Sequence, residues 1–194
     1  MPHQLSNAIL AGCNRANRQQ MTQDLTMQEI ANPSFLVRPI EARDDAAVRH
    51  IIETVMPQFG AGGAGFAIHD AEVKAMFSAY QIPRASYFVV ERDGVVAGGA
   101  GIAALAGTGA ASEVCELRKM YFLPELRGIG AGSALMQACL DAARRYRYRE
   151  VYLETLTGMD AAVKLYEHTG FKRLSAPMGA TGHFGCNRFY WLAL

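Results

Sequence analysis

Two periods of apolar and polar residues run along the chain, and they separate strands from helices. Phe35-Leu36-Val37-Arg38-Pro39-Ile40 reads as an edge strand whose ladder ends at Pro39. Asp44 or Asp45 caps a helix running to about Met56, with Val48, Ile51, Ile52 and Val55 on one face. Pro57 to Gly65 reads as a loop, and Glu72 to Tyr80 as a second short helix. Ser86 to Glu91 is β-rich, Asp93-Gly94 is a hairpin turn, and Val95 to Leu105 is a longer strand of small residues. After a turn at Gly107 to Ser112, Val114 to Leu123 is a strand that runs into Pro124. Gly130 to about Tyr146 is a helix with a stripe of Leu135, Met136, Cys139, Leu140 and Ala143. Val151 to Thr155 is a strand, and Met159 to Thr169 is a helix ended by Gly170. Phe171 to Leu174 and Arg188 to Leu194 close the sheet. This order predicts a mixed α/β sheet with helices on both faces, in one domain over residues 35–194.

Residues 1–34 are poorer in apolar residues and rich in Gln and Asn, which reads as a flexible leader or an extra helix. With 194 residues, the chain is long enough for a substantial core. Its net charge of +1 argues against nucleic acid as the main partner. No apolar run approaches the roughly 20 residues of a membrane span. Cys13, Cys115, Cys139 and Cys186 lack metal-ligand or redox spacing and read as reduced thiols of a cytoplasmic protein. The five histidines form no HxxxH or HExxH pattern, so no metal site is expected.

The chemistry concentrates between Cys115 and Phe171. A strand of bulky residues leads through Pro124-Glu125-Leu126 into Arg127-Gly128-Ile129-Gly130-Ala131-Gly132-Ser133 and then a helix. Glycines let backbone approach a ligand closely, free N–H groups at a helix start face outward, and the helix dipole favours an anion there. Arg127 adds a fixed positive charge, so the bend fits a pyrophosphate. It is not a P-loop, because GK[ST] is absent, nor G-x-G-x-x-G, because Ser133 stands at the third glycine.

Arg127, Gly130 and Gly132 match (Arg/Gln)-x-x-Gly-x-(Gly/Ala), and Leu165-Tyr166-Glu167-His168-Thr169-Gly170-Phe171 is similar to LYExxGF. With the helix and strand between them, these segments resemble the GNAT superfamily of acyl-CoA-dependent N-acetyltransferases. The resemblance implies a mostly antiparallel sheet with one splayed parallel strand pair, residues 114–123 and 151–155, and acetyl-CoA in the opening. It places the pantetheine arm along the backbone of Met120, Tyr121 and Phe122, and the pyrophosphate on Arg127, Gly128, Ile129, Gly130, Ala131, Gly132 and Ser133. One departure is Met159, where the family often carries Asn.

The same resemblance makes Tyr166, on the apolar face of its helix, a candidate acid for the departing thiolate; the alternative is a core tyrosine. Glu116 lies inside an apolar strand, 11 positions before Arg127, where some members carry a general base. It could act as base or water relay, orient substrate, or pair with Arg118 or Arg38. Glu154 could hold a cationic amine or form a structural ion pair. His183 could line the acceptor pocket or lie on a surface loop, and Phe59 could form the pocket's other wall. The implied reaction is direct acetyl transfer from acetyl-CoA to a primary amine, preferably of a small molecule, in a ternary complex. The alternatives are a non-catalytic acyl-CoA sensor, or acetylation of protein N-termini or lysines. Pairing of a terminal strand would allow a homodimer.

Overall fold

The computed structural model describes residues 30–194, apart from residues 33 and 110. Eight strands form one sheet: β1 (Ile30–Asn32), β2 (Phe35–Pro39), β3 (Ser86–Arg92), β4 (Val95–Ala104), β5 (Val114–Phe122), β6 (Glu150–Thr155), β7 (Lys172–Leu174) and β8 (Arg188–Ala193). Their order is β1-β2-β3-β4-β5-β6-β8-β7. Every neighbouring pair is antiparallel except β5 and β6. Among the described residues four α-helices accompany them: α1 (Asp45–Val55), α2 (Met76–Ala79), α3 (Ala131–Arg145) and α4 (Asp160–Thr169). A parallel pair needs a long crossover, and α3 supplies it between β5 and β6.

Alternation along β3 divides the core. Phe88 and Val90 pack with α3 and α4 on one face, while Tyr87 and Val89 pack with α1 and α2 on the other. The expected stripes of α1 and α3 are buried throughout. β4 is built of small residues because aromatic rings lie over its backbone. A Cβ at Gly98 would strike Phe122, and one at Gly99 or Gly101 would strike Tyr87. The Asp93-Gly94 turn has both residues at positive φ, 53° and 79°, which matches the twist of a tight hairpin.

Three expectations change. β2 is not an edge strand: Ile30–Asn32 reverses tightly and pairs outside it, with Asn32 opposite Phe35. The sheet therefore begins before residue 35; of the leader or helix expected over residues 1–34, residues 1–29 lie outside the described residues. The segment Glu72 to Tyr80 is not one helix. A 3-10 turn (Ala71–Lys74) breaks at Ala75, where φ is −155°, and α2 restarts with Asp45 Oδ1 accepting the Phe77 N–H at 2.7 Å. The loop after α1 also begins with a 3-10 turn, Met56–Phe59, closed by Gly60 at φ 73°.

Arg38 anchors the first helix to the sheet. Its guanidinium holds Asp44 through Nη1 and Nη2 at 2.7 and 3.0 Å, and Glu91 through Nε and Nη2 at 2.9 and 2.8 Å. Burial works against the Asp44 carboxylate, but the Arg38 guanidinium outweighs it and holds the carboxyl below its usual range. Among the described residues, no helix is long and apolar enough to cross a membrane.

Candidate active site

The opening in the sheet follows from strand pairing. β5 and β6 share rungs only from Val114 opposite Glu150 to Glu116 opposite Tyr152. Beyond that, β5 stays with β4 and β6 stays with β8, so the two strands part. A bulge strengthens the divergence. Gly99 faces Tyr121 and Gly101 faces Arg118, so Lys119 and Met120 oppose Ala100 alone, with Lys119 at φ 51°. The gap leads into a cleft of about 460 Å³.

Most of the residues expected to hold the cofactor line this cleft: Met120, Tyr121, Phe122, Arg127, Gly128, Gly130, Gly132 and Ser133. The side chains of Ile129 and Ala131 do not; Ile129 packs on the core and Ala131 is fully buried. Gly128 and Gly130 adopt φ of 77° and 87°, a region that costs other residues energy. α3 begins at Gly130 without a side-chain cap, so the amides of Ala131, Gly132 and Ser133 are available to a ligand. Arg127 Nη2 donates to the Phe122 carbonyl at 3.1 Å and to Gln58 Oε1 at 3.3 Å. Phe59 lies in this cleft rather than forming the acceptor wall expected of it.

A second, smaller cavity of about 50 Å³ lies deeper in the splay. Met120, Tyr121, Met159 and Tyr166 line both spaces, so they mark where the two meet. Tyr166 is buried, with its ring against Phe171 and Tyr190. Its hydroxyl has no hydrogen-bond partner among the described residues. Burial raises its pKa, which keeps the phenol protonated. Met159 takes the place of the family's frequent Asn, and its sulfur accepts the Thr155 hydroxyl at 3.4 Å.

The small cavity also gathers Glu116, Glu154 and His183. Glu116 is buried on the last rung shared by β5 and β6. Its Oε2 accepts Arg118 Nε at 2.7 Å, so of the two expected arginine partners Arg118 is the one it meets. Burial raises the Glu116 pKa, and the Arg118 guanidinium pulls against that rise. Glu154 makes no ion pair among the described residues; its Oε1 accepts the hydroxyls of Tyr152 and Thr181 at 2.8 and 2.9 Å. His183 is no surface residue: its side chain is 13% exposed and its Nε2 lies 3.0 Å from Asp70 Oδ2. That hydrogen bond raises the imidazole pKa, with burial opposing.

Three ionic residues of this site escape sequence reasoning. The Lys119 side chain is 1% exposed, and its ammonium lies between Asp70 Oδ2 at 2.6 Å and Glu72 Oε1 at 2.5 Å. Burial works against the Asp70 carboxylate, but His183 and Lys119 hold it below the usual range. The run Glu116-Leu117-Arg118-Lys119, which sets three charged residues inside one strand, is the one signal of this cluster in the sequence.

Two loops beside the small cavity exchange aromatic rings; Phe66 lines the cavity, and Phe184 lies exposed outside it. A Cβ at Gly65 would fall on Phe184, and a Cβ at Gly185 would fall on Phe66. The Gly185 N–H donates to the Gly65 carbonyl at 3.1 Å between them.

Residues 47–171 match the acetyltransferase (GNAT) family. An uncharacterized N-acetyltransferase of Escherichia coli strain K12, YjgM, is 37% identical over 161 residues, covering 82% of this chain and 95% of that protein. Among solved structures, a GNAT-family acetyltransferase of Staphylococcus aureus Mu50 superimposes with a TM-score of 0.70 at 15% identity, over 82% of this chain and 99% of that one. YncA of Salmonella typhimurium, solved with its cofactor acetyl-CoA, gives 0.67 at 20% identity, over 82% and 94%. The splayed parallel pair, the uncapped helix start after Arg127 and these matches agree: the chain belongs to the acetyltransferase (GNAT) family and is an acyltransferase.

Proposed function

We propose that the protein transfers an acetyl group from acetyl-CoA to a primary amine of a small molecule, by direct attack in a ternary complex. The observation that carries this reading is the meeting of a long cleft and a small ionic cavity at Tyr166. The cleft has the chemistry of the coenzyme: uncapped amides and Arg127 for the diphosphate, and an apolar throat for the pantetheine arm. Beyond Glu116, the β6-facing edge of β5 has no strand partner among the described residues, so backbone at Met120 to Phe122 can pair with the pantetheine amides. A cavity of about 50 Å³ suits a compact acceptor better than a peptide segment. The buried free thiols of Cys115 and Cys139 fit a reducing compartment such as the cytoplasm.

In this reading Glu116 receives a proton from the acceptor ammonium, and the neutral amine attacks the thioester carbonyl. Backbone N–H groups near Met120 to Phe122 stabilise the oxyanion. Tyr166 protonates the departing sulfur and is reset by the second proton that the nitrogen releases. Glu154 holds the acceptor through its remaining lone pairs.

A thiol-release screen of amines, polyamines, aminoglycosides and peptides with acetyl-CoA tests the reading. Turnover of at least one small amine is the expected result; coenzyme binding without thiol release from any of them would leave a sensor instead. The coenzyme site has its own test. Gly130→Ala forces a side chain into the left-handed region and displaces the helix-start amides, so the acetyl-CoA Kd measured by calorimetry rises about tenfold.

A further inference from the structure

A buried carboxylate that accepts a proton in each turnover must also lose it. Glu116 is poorly placed to keep one, because Arg118 lies 2.7 Å from its Oε2 and favours the ionised form. The groups around it narrow the choice of receiver. Arg118 is permanently charged, and Lys119 is held by Asp70 and Glu72. Glu154 already accepts two hydroxyls, and burial pushes the Cys186 thiol up to about 12. His183 remains, with Nδ1 4.0 Å from Glu116 Oε1 and Nε2 on Asp70.

We infer that Glu116 passes the acceptor's proton to Nδ1 of His183, a residue that Asp70 holds in the receiving tautomer. With Nε2–H donated to the Asp70 carboxylate, Nδ1 of the neutral ring carries the lone pair and faces Glu116. In the first step an ammonium N–H bond breaks and an O–H bond forms at Glu116 Oε1. In the second, after a small side-chain rotation closes the gap, that O–H breaks and an N–H forms at Nδ1. The imidazolium then lies between two carboxylates, and Lys119 is the cation that opposes it. After product leaves, Nδ1 releases the proton to water and Nε2–H never moves, so each turnover ends in the starting tautomer. Side-chain exposure rises along the path, from 4% at Glu116 to 13% at His183.

This relay rests on the acetyl transfer proposed above. It is tested by following the His183 ring nitrogens by NMR in the protein alone, beside pH profiles of kcat/KM with the amine that turns over fastest. In the wild type, His183 loses its Nδ1 proton above pH 6.5, and activity rises over the same interval. Asp70→Asn removes the partner that raises the imidazole pKa and shifts both curves together to lower pH. His183→Gln removes that limb and lowers kcat about tenfold or more, with acetyl-CoA affinity unchanged. Should Asp70→Asn fail to fold once Lys119 loses one of its two carboxylates, His183→Gln decides the matter, since it leaves both ion pairs of Lys119 in place. Activity whose acid limb stays in place in these variants overturns the relay alone. Coenzyme binding with no thiol release in the wild type overturns the transferase reading, and the relay with it.

Discussion

Tyr166→Phe lowers kcat about 100-fold or more while the acetyl-CoA Kd stays close to that of the wild type. The substitution removes one oxygen from a ring that packs on Phe171 and Tyr190, and those ring contacts survive it. What disappears is the hydroxyl proposed as proton donor, at the junction of the two cavities. Proton transfer from a placed side chain contributes about 10²–10⁴-fold. Burial raises the phenol's pKa, but the departing thiolate leaves into the same apolar junction and becomes more basic for the same reason, so the transfer stays feasible. Single-turnover kinetics with calorimetry of the coenzyme separates the two quantities. A variant that turns over like the wild type would mean that the sulfur leaves unaided or takes its proton elsewhere.

The largest expected effect on stability lies far from the chemistry. Arg38→Met destabilises the fold by about 3–4 kcal/mol in urea titration, because it strands the Asp44 carboxylate, whose side chain is 4% exposed. Glu91 contributes less to the loss, since it retains 24% exposure and can turn to water. The pH dependence gives the sign. With Arg38 present, Asp44 ionises more readily in the folded state than in the unfolded one. Its contribution is therefore fully present above the unfolded pKa near 3.8 and is lost as pH falls through the lower folded value. Without Arg38, burial dominates and the folded carboxyl is the weaker acid. The deficit of the variant is then largest at neutral pH and shrinks as the medium approaches pH 3. A deficit independent of pH would point to lost side-chain packing rather than a stranded charge.

The elements legible in the sequence are those whose residues answer to their own neighbours. α1 and α3 show their buried stripes as a period, and the Arg127 to Ser133 bend shows its glycines. What stayed hidden depends on partners distant along the chain. β1 has three residues, too few for any period, and exists because β2 offers an edge. The break at Ala75 carries no Gly or Pro; α2 restarts there because Asp45, 32 positions earlier, caps it. Asp70 and Lys119 are 49 positions apart and meet only when the bulge turns Lys119 inward. His183 lies in a glycine-rich stretch typical of exposed loops, and only its contact with Asp70, 113 positions away, draws it inside.

The exchange of rings between Phe66 and Gly185, and between Phe184 and Gly65, has an evolutionary reading. Each ring fills the volume that a side chain on the opposite loop would need, so a larger residue at either glycine requires the facing aromatic to move or shrink. Lineages that carry this arrangement should drift in matched pairs at these four positions. Redesign toward bulkier acceptors would begin by trimming Phe66, the ring of the pair that lines the small cavity, leaving its carboxylates untouched.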